Sequence, residues 1–139
     1  MSAQARRERK APPKTGGGKQ NLLVIDDHPI VRESLQRLFE STGRYSVDLA
    51  VDGDDAKLKF TPGNYAVVLC DRNMRGNPKE GDDVIRRIKT MAPTQKVIML
   101  SLTLPKGERD SIGADDYVDK AAHSDNIIAA VDRLARQTN

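Results

Sequence analysis

The stretch Leu22-Leu-Val-Ile-Asp-Asp27 is an apolar run that ends on two adjacent carboxylates. A second run of the same kind, Tyr65-Ala-Val-Val-Leu-Cys70, ends on Asp71. Continuous apolar runs of this length are typical of parallel strands that helices cover on both faces. Three acids at strand ends would repel one another if they met, so the pattern predicts that a cation lies among them.

Short apolar runs alternate with helical periodicity along the rest of the chain. The predicted strands are 22–26, 46–51, 65–70, 96–101 and 114–118. Between them, apolar residues recur at helical spacing in three stretches. These residues are Val31, Leu35, Leu38 and Phe39; Val84, Ile85, Ile88 and Met91; and Ile127, Ile128, Val131, Leu134 and Ala135. Pro29 suits a first helical turn, and Gly43 and Pro93 suit helix ends.

The order of these elements predicts the fold class. Residues 56–60 alternate like a strand, but parallel strands require a crossover there, so we predict a helix. Five β and α units in alternation predict a three-layer, doubly wound α/β domain with a parallel five-stranded sheet and right-handed crossovers. In such sheets the ligand site lies beyond the carboxyl ends of the strands. Asp26, Asp27, Asp71 and Ser101 all fall there.

Length and composition exclude several classes of protein. A chain of 139 residues suits one domain that buries a core without disulfides or structural metal. Cys70 is the single cysteine, and no apolar stretch approaches the roughly 20 residues of a membrane span. The first 20 residues lack the apolar core of a secretory signal. We therefore expect a soluble, reduced, cytoplasmic protein with no membrane span.

The basic charge of the chain is local. The formal net charge is +3, yet residues 1–21 alone carry six basic groups against one acidic group. Residues 22–139 then hold 17 basic and 19 acidic groups and are mildly acidic. We predict that residues 1–20 form a disordered basic tail and that 21–139 form the domain. The tail is either a solvated extension or expression remnant, or a basic arm that contacts a polyanion.

Four motifs in order carry a family resemblance: Val24-Ile-Asp-Asp27, Leu69-Cys-Asp-Arg-Asn-Met74, Val97-Ile-Met-Leu-Ser101 and Gly113-Ala-Asp-Asp-Tyr-Val-Asp-Lys120. With them, residues 22–136 resemble the receiver domain of two-component response regulators. The resemblance implies a flavodoxin-like fold with strand order 2-1-3-4-5. It also implies a phosphoprotein in a two-component or phosphorelay system.

The resemblance implies a role for each site residue. Asp71 would be the phosphoacceptor, and Lys120 and Ser101 would contact the phosphoryl oxygens. Mg²⁺ would be held by Asp26, Asp27, Asp71 and the backbone carbonyl of Asn73. Tyr117 would act with Ser101 as a conformational switch.

Partners are implied as well. The phosphoryl group would come from a sensor histidine kinase or a histidine phosphotransfer protein, and the signal would pass to a downstream effector protein. The chain would be no enzyme beyond its own phosphoryl transfer and autodephosphorylation. It ends directly after the fifth helix, so we expect no DNA-binding domain in it.

Some residues keep a plainer interpretation. Tyr117 could be a core residue, and Cys70 is expected to be a packing residue and not a redox sensor. His28 is expected at a helix entry, although its place after two acids also suits a metal ligand. Arg75 and Lys79 are expected to be solvated, with partner steering as the alternative.

Three departures from the family pattern stand out. The segment after Met74 is two residues longer than usual, and Arg75 replaces a proline. The stretch from Ser101 to Gly113 is about three residues shorter, so the fourth helix is predicted to be short, irregular or mobile. Leu102 replaces a small residue, and Ala121 replaces a proline.

Three functional hypotheses follow. The first is a phosphoacceptor receiver that signals through a partner protein. The second is a degenerate receiver that binds partners without phosphorylation. The third is a hydrolase of the haloacid dehalogenase type, which also forms an aspartyl phosphate with Mg²⁺. That type places its nucleophile after the first strand, whereas Asp71 follows the third.

Overall fold

The computed structural model describes residues 18–77, 79–102 and 106–137. Strands and helices alternate along this part of the chain. The strands are β1 (Gln20–Ile25), β2 (Tyr45–Ala50), β3 (Val67–Asp71), β4 (Lys96–Ser101) and β5 (Asp116–Asp119). The helices are α1 (Pro29–Glu40), α2 (Gly53–Lys59), α3 (Glu80–Met91), α4 (Arg109–Ile112) and α5 (Ser124–Arg136), with a 3₁₀ turn (Lys106–Glu108) before α4.

The five strands form one parallel sheet in the order β2-β1-β3-β4-β5. This order and the three-layer α/β class are as predicted. The central pairing aligns Ile25 of β1 with Cys70 of β3. The residues that follow these two, Asp26 and Asp71, therefore lie at the same edge of the sheet.

Alternation along the strands divides the buried residues into two cores, one on each face of the sheet. Leu22, Val24, Leu69 and Leu100 pack with α1 and α5 in the first core. Leu23, Ile25, Val68, Cys70 and Met99 pack with α2, α3 and Ile112 in the second. Because successive side chains of a strand point to opposite faces, a continuous apolar run supplies both cores at once.

The helices confirm most of the predicted positions. Pro29 is the first residue of α1, and the segment predicted to be helical despite its alternation is α2. The carboxylate of Asp52 accepts a hydrogen bond from the Asp55 amide at 2.8 Å and so caps α2. Met91, predicted at helical spacing, is the last residue of α3 and is 47% exposed.

The element boundaries differ from the predicted ones by up to two residues. β1 begins at Gln20, which pairs with Tyr45, one residue before the predicted start of the domain. β5 begins at Asp116, because Gly113 ends α4 in the left-handed conformation and Asp115 first bonds back to Val97. The predicted tail at residues 1–17 lies outside the described residues. None of the described helices has the length and apolar character needed to cross a bilayer.

Candidate functional site

Three carboxylates meet at the carboxyl edge of the sheet. Asp26 and Asp27 follow β1, and Asp71 is the last residue of the neighbouring strand β3. Asp26 is fully buried and Asp71 is 2% exposed. One oxygen of each carboxylate and one nitrogen of His28 all lie within 4.8 Å of one another. The predicted convergence of the three acids is therefore present.

Lys120 provides a positive charge inside this cluster. Its Nζ lies 3.2 Å from Asp26 Oδ2 and 3.2 Å from Asp71 Oδ1. Its backbone amide donates to the carbonyl of Ser101 at 3.1 Å, which fixes the lysine at the end of β5 beside β4. Burial opposes the charge on Lys120, but Asp26 and Asp71 outweigh it and raise the lysine pKa.

One lysine does not offset the three acids. Burial raises the pKa of Asp71, and the nearby charge of Asp26 raises it further, while Lys120 and His28 act in the opposite direction. Among the described residues, Asp71 Oδ2 is a buried atom with no hydrogen-bond partner, and Asp27 Oδ1 is a buried atom that has the His28 ring nitrogen 3.0 Å away. Partly unsatisfied carboxylate oxygens that converge in this way fit a hard divalent cation such as Mg²⁺.

His28 lies closer to the acids than the sequence indicated. It is the N-cap residue of α1, as expected for a helix entry. Its Nδ1 also lies 2.9 Å from Asp26 Oδ1 and 3.0 Å from Asp27 Oδ1. The side chain is 57% exposed, so the ring covers the cluster from the solvent side. The sequence signal for this contact was the run Asp-Asp-His itself.

The remaining predicted residues lie around one cleft. Asn73, Ser101 and Lys120 line a cleft of about 570 Å³ together with Asp27 and Asp71. Leu102, also on its wall, is 68% exposed. The cleft therefore leaves room for a group larger than an ion above Asp71.

Tyr117 lies beside this cleft and not inside it. It lines a second, smaller cleft with Ser101, Leu102 and Arg109. Its hydroxyl donates to the Arg109 carbonyl at 2.5 Å and accepts from the Ala114 amide at 3.0 Å. The Arg109 guanidinium stacks over the ring at 5.2 Å from its centroid. Tyr117 thus contacts the segment around α4, half-buried and bonded to its backbone.

Two arginines near the cleft have partners that the sequence did not reveal. Arg75 is 51% exposed, as expected for a solvated residue, but its guanidinium also makes two hydrogen bonds with Glu80 at 2.7 and 3.0 Å. Arg72 pairs with Asp82 at 3.1 Å and also with Glu108. Partners 5, 10 and 36 positions away follow no fixed periodicity, so the sequence carried no signal for them.

Cys70 is a fully buried residue beside Asp71. Burial raises the pKa of its thiol well above the usual value, and the neighbouring acids raise it further. A buried, protonated thiol is a poor nucleophile. The predicted packing role fits this environment.

Comparisons with known proteins agree with this geometry. A family model described as response regulator receiver domain matches residues 22–132. The transcriptional regulatory protein DltR of Streptococcus agalactiae is 35% identical over 122 residues, which are 85% of this chain and 53% of that protein. ResD of Bacillus subtilis is 32% identical over 124 residues, covering 85% of this chain and 49% of ResD. The chain thus spans about half the length of these relatives.

Solved structures show the same fold. The response regulator TrrA of Thermotoga maritima, solved in complex with Mg²⁺ and BeF, is 33% identical with a TM-score of 0.72, covering 83% of this chain and 98% of that one. A Francisella response regulator receiver domain is 25% identical with a TM-score of 0.77, covering 87% of this chain and all of that one. These matches leave the hydrolase hypothesis without support. The family match spans most of the chain, and the protein belongs to the response regulator receiver domain family.

Proposed function

We propose that Asp71 accepts a phosphoryl group from a histidine of a sensor kinase or phosphotransfer protein. One observation carries this proposal. The buried Asp71 carboxylate is paired with Lys120 at 3.2 Å through Oδ1, whereas Oδ2 has no hydrogen bond among the described residues. A carboxylate on the wall of a cleft, with one oxygen paired to a lysine and the other without a hydrogen bond, suits in-line attack on phosphorus.

The transfer balances as a simple displacement. Asp71 Oδ2 forms a bond to phosphorus while the bond between phosphorus and the donor imidazole nitrogen breaks, and that nitrogen keeps the electron pair. Lys120 pairs with one phosphoryl oxygen as a point charge, and the Ser101 hydroxyl donates to another. Lys120 and Ser101 both line the cleft beside Asp71, which supports these roles.

The residues present fit Mg²⁺. Asp26, Asp27, Asp71 and the Asn73 carbonyl would hold it, because hard ions prefer oxygen ligands. When bound, the ion supplies positive charge that offsets the charge of the incoming phosphoryl group. The relative TrrA, solved with Mg²⁺ and BeF, supports this assignment.

The rest of the proposal concerns signalling. Residues 21–139 would act as a receiver with no enzyme activity beyond phosphoryl transfer and autodephosphorylation, in the cytoplasm where kinases of this kind act. Relatives named transcriptional regulators are about twice as long as the matched part. The receiver would pass its signal to an effector protein, with Tyr117 and Ser101 responding to the phosphoryl group.

Intact-mass measurement tests the proposal. We expect incubation with Mg²⁺ and a small acyl phosphate to add one phosphoryl mass, and Asp71→Asn to abolish it. Asp83→Asn is a matched control, because Asp83 has a carboxylate 62% exposed on α3. An equal yield in Asp71→Asn would refute the assignment. A wild-type chain that folds and takes no phosphoryl group would favour the degenerate receiver.

A further inference from the structure

The lengthened segment after β3 begins with a tight hairpin. The Met74 amide donates to the Asn77 carbonyl at 3.3 Å, and the Asn77 amide donates to the Met74 carbonyl at 2.9 Å. The two residues at its tip both have positive φ, 55° for Arg75 and 72° for Gly76. A pair of positive φ values is what a type I′ turn requires. Glycine adopts this conformation freely, whereas arginine is strained in it by about 1–2 kcal/mol.

Arg75 is held in this conformation by its side chain. Its guanidinium makes the bidentate pair with Glu80, and a bidentate arginine–carboxylate pair is among the stronger side-chain interactions. The Glu80 carboxylate is only 10% exposed. Its Oε2 also accepts a hydrogen bond from the Gly53 amide at 2.9 Å, which ties the pair to the first residue of α2. The hairpin tip is therefore anchored to a separate element of the fold.

The anchored tip contacts the carboxylate cluster. The backbone amide of Arg75 donates to Asp27 Oδ2 at 2.6 Å. The other oxygen, Oδ1, lies 3.0 Å from His28 Nδ1. One carboxylate oxygen of Asp27 is thus fixed by the hairpin, while the other faces His28 within the cluster.

We propose that Arg75 and Glu80 are positioning residues that set the Mg²⁺ affinity of the site by orienting Asp27. The inference rests on the proposed function, because it takes Asp27 as a ligand of the ion. Groups that orient a metal ligand typically change affinity by about 10- to 100-fold. Simple electrostatics predicts the opposite sign, because removing a positive charge near the cluster would tighten the binding of a cation. The direction of the change therefore separates the two explanations.

Titration with Mg²⁺ alone, followed by amide NMR shifts next to Asp27 and Asp71, tests this inference. We expect Arg75→Ala to weaken binding by about 10-fold, since it loses the anchor but keeps the strained conformation. Arg75→Gly should weaken it less, by about 3-fold, because glycine adopts the positive φ without strain. Glu80→Gln should also weaken binding, because it breaks the ion pair and keeps an oxygen for Gly53.

Lys79→Ala is the matched control, since it removes one positive charge from an exposed residue of the same segment. We expect it to leave the affinity unchanged or slightly tighter. Tighter or equal binding in Arg75→Ala, or equal effects of the alanine and glycine variants, would overturn the inference. If Arg75→Ala does not fold, equal binding in wild type and Glu80→Gln would overturn it.

The titration also separates this inference from the proposed function. A wild-type chain that binds Mg²⁺ but takes no phosphoryl group would refute the function, and the ranking of the variants would still decide the role of Arg75. A wild-type chain that shows no Mg²⁺ shifts at Asp27 and Asp71 would refute both.

Discussion

Two segments leave the same edge of the sheet from the adjacent strands β3 and β4, and they differ in how they are held in place. The β3–α3 segment, residues 72–79, is fixed at several points. The Gly81 amide bonds to the Arg72 carbonyl at 2.9 Å, Arg75 is paired with Glu80, and the Arg75 amide bonds to Asp27. The β4–β5 segment, residues 102–115, contains a 3₁₀ turn and a helix of four residues.

Several contacts of the described part of the β4–β5 segment come from residues outside it. The Tyr117 hydroxyl bonds to its Arg109 carbonyl and Ala114 amide, and Arg72 pairs with its Glu108. A single helical turn has little stability of its own, because nucleation is unfavourable. Segments of low local stability are those that move in regulated proteins. The site thus has one wall that is tied to neighbouring elements and another whose four-residue helix depends on contacts with Tyr117 and Arg72.

The first prediction compares one glycine from each segment. A Cβ built on Gly81 lies 2.3 Å from the Asp71 carbonyl oxygen and 2.5 Å from the Arg72 Cα, so backbone would have to move. We expect Gly81→Ala to lower the free energy of unfolding by about 3 kcal/mol or more. Around Gly107 nothing lies within 4 Å of a built Cβ. Gly107→Ala should stay within about 0.5 kcal/mol of the wild type.

Urea unfolding measures both variants. Equal midpoints for the two would show that the β3–α3 segment tolerates displacement as readily as the β4–β5 segment. That result would contradict the view that the β3–α3 segment is held more firmly than the β4–β5 segment.

The second prediction concerns the charge that the fixed wall holds. Because burial raises the pKa of Asp71, its folded carboxyl binds a proton more readily than the unfolded one. The stability that this proton provides is complete below pH 3.8 and is lost as the pH rises through the folded pKa. Asp71→Asn removes one of the three converging negative charges, and we expect it to raise the free energy of unfolding at neutral pH without divalent cations.

Urea unfolding of the wild type and Asp71→Asn in EDTA, over a range of pH, measures the sign of this change in unfolding free energy. The gain should be largest near pH 7 and should shrink as the pH approaches 3.8. Asp83→Asn, an exposed carboxylate, should show no such gain. A destabilised Asp71→Asn at neutral pH would mean that Lys120 and His28 more than offset the charge of Asp71.

The sequence predicted the sheet and the acid cluster, because both follow from local patterns. Continuous apolar runs indicate parallel strands, whose carboxyl ends lie at one edge, and the strand order implied by the family resemblance makes β1 and β3 neighbours, so Asp26, Asp27 and Asp71 were expected to meet. The short α4 was also predictable, since Pro105 and Gly107 disfavour a helix.

The pairings of side chains were not predictable. Arg75 was expected to be solvated, and its additional pairing with Glu80 depends on the left-handed hairpin that carries it. The ion pair of Arg72 with Glu108 spans 36 positions and depends on how the shortened segment folds back. Such contacts depend on three-dimensional placement and leave no periodicity in the sequence.

The last and smallest expected effect concerns the β4–β5 segment. Tyr117→Phe removes the hydroxyl that bonds to the Arg109 carbonyl and the Ala114 amide. We expect a loss of about 1 kcal/mol in the free energy of unfolding. We also expect faster amide exchange over residues 106–112. Exchange over α3 should change only as much as the loss of global stability requires. Mg²⁺ affinity should stay the same, because Tyr117 lies outside the carboxylate cleft.

Tyr65→Phe is the matched control, since the buried Tyr65 hydroxyl donates to Asp48 at 2.7 Å far from α4 in the chain. It should lower global stability without a selective change over 106–112. Strong amide protection of this segment in the wild type, or no selective change in Tyr117→Phe, would contradict the view that Tyr117 holds it. If both variants behave as expected, the Tyr117 hydroxyl is a restraint on the segment around α4 that acts from outside the carboxylate cleft.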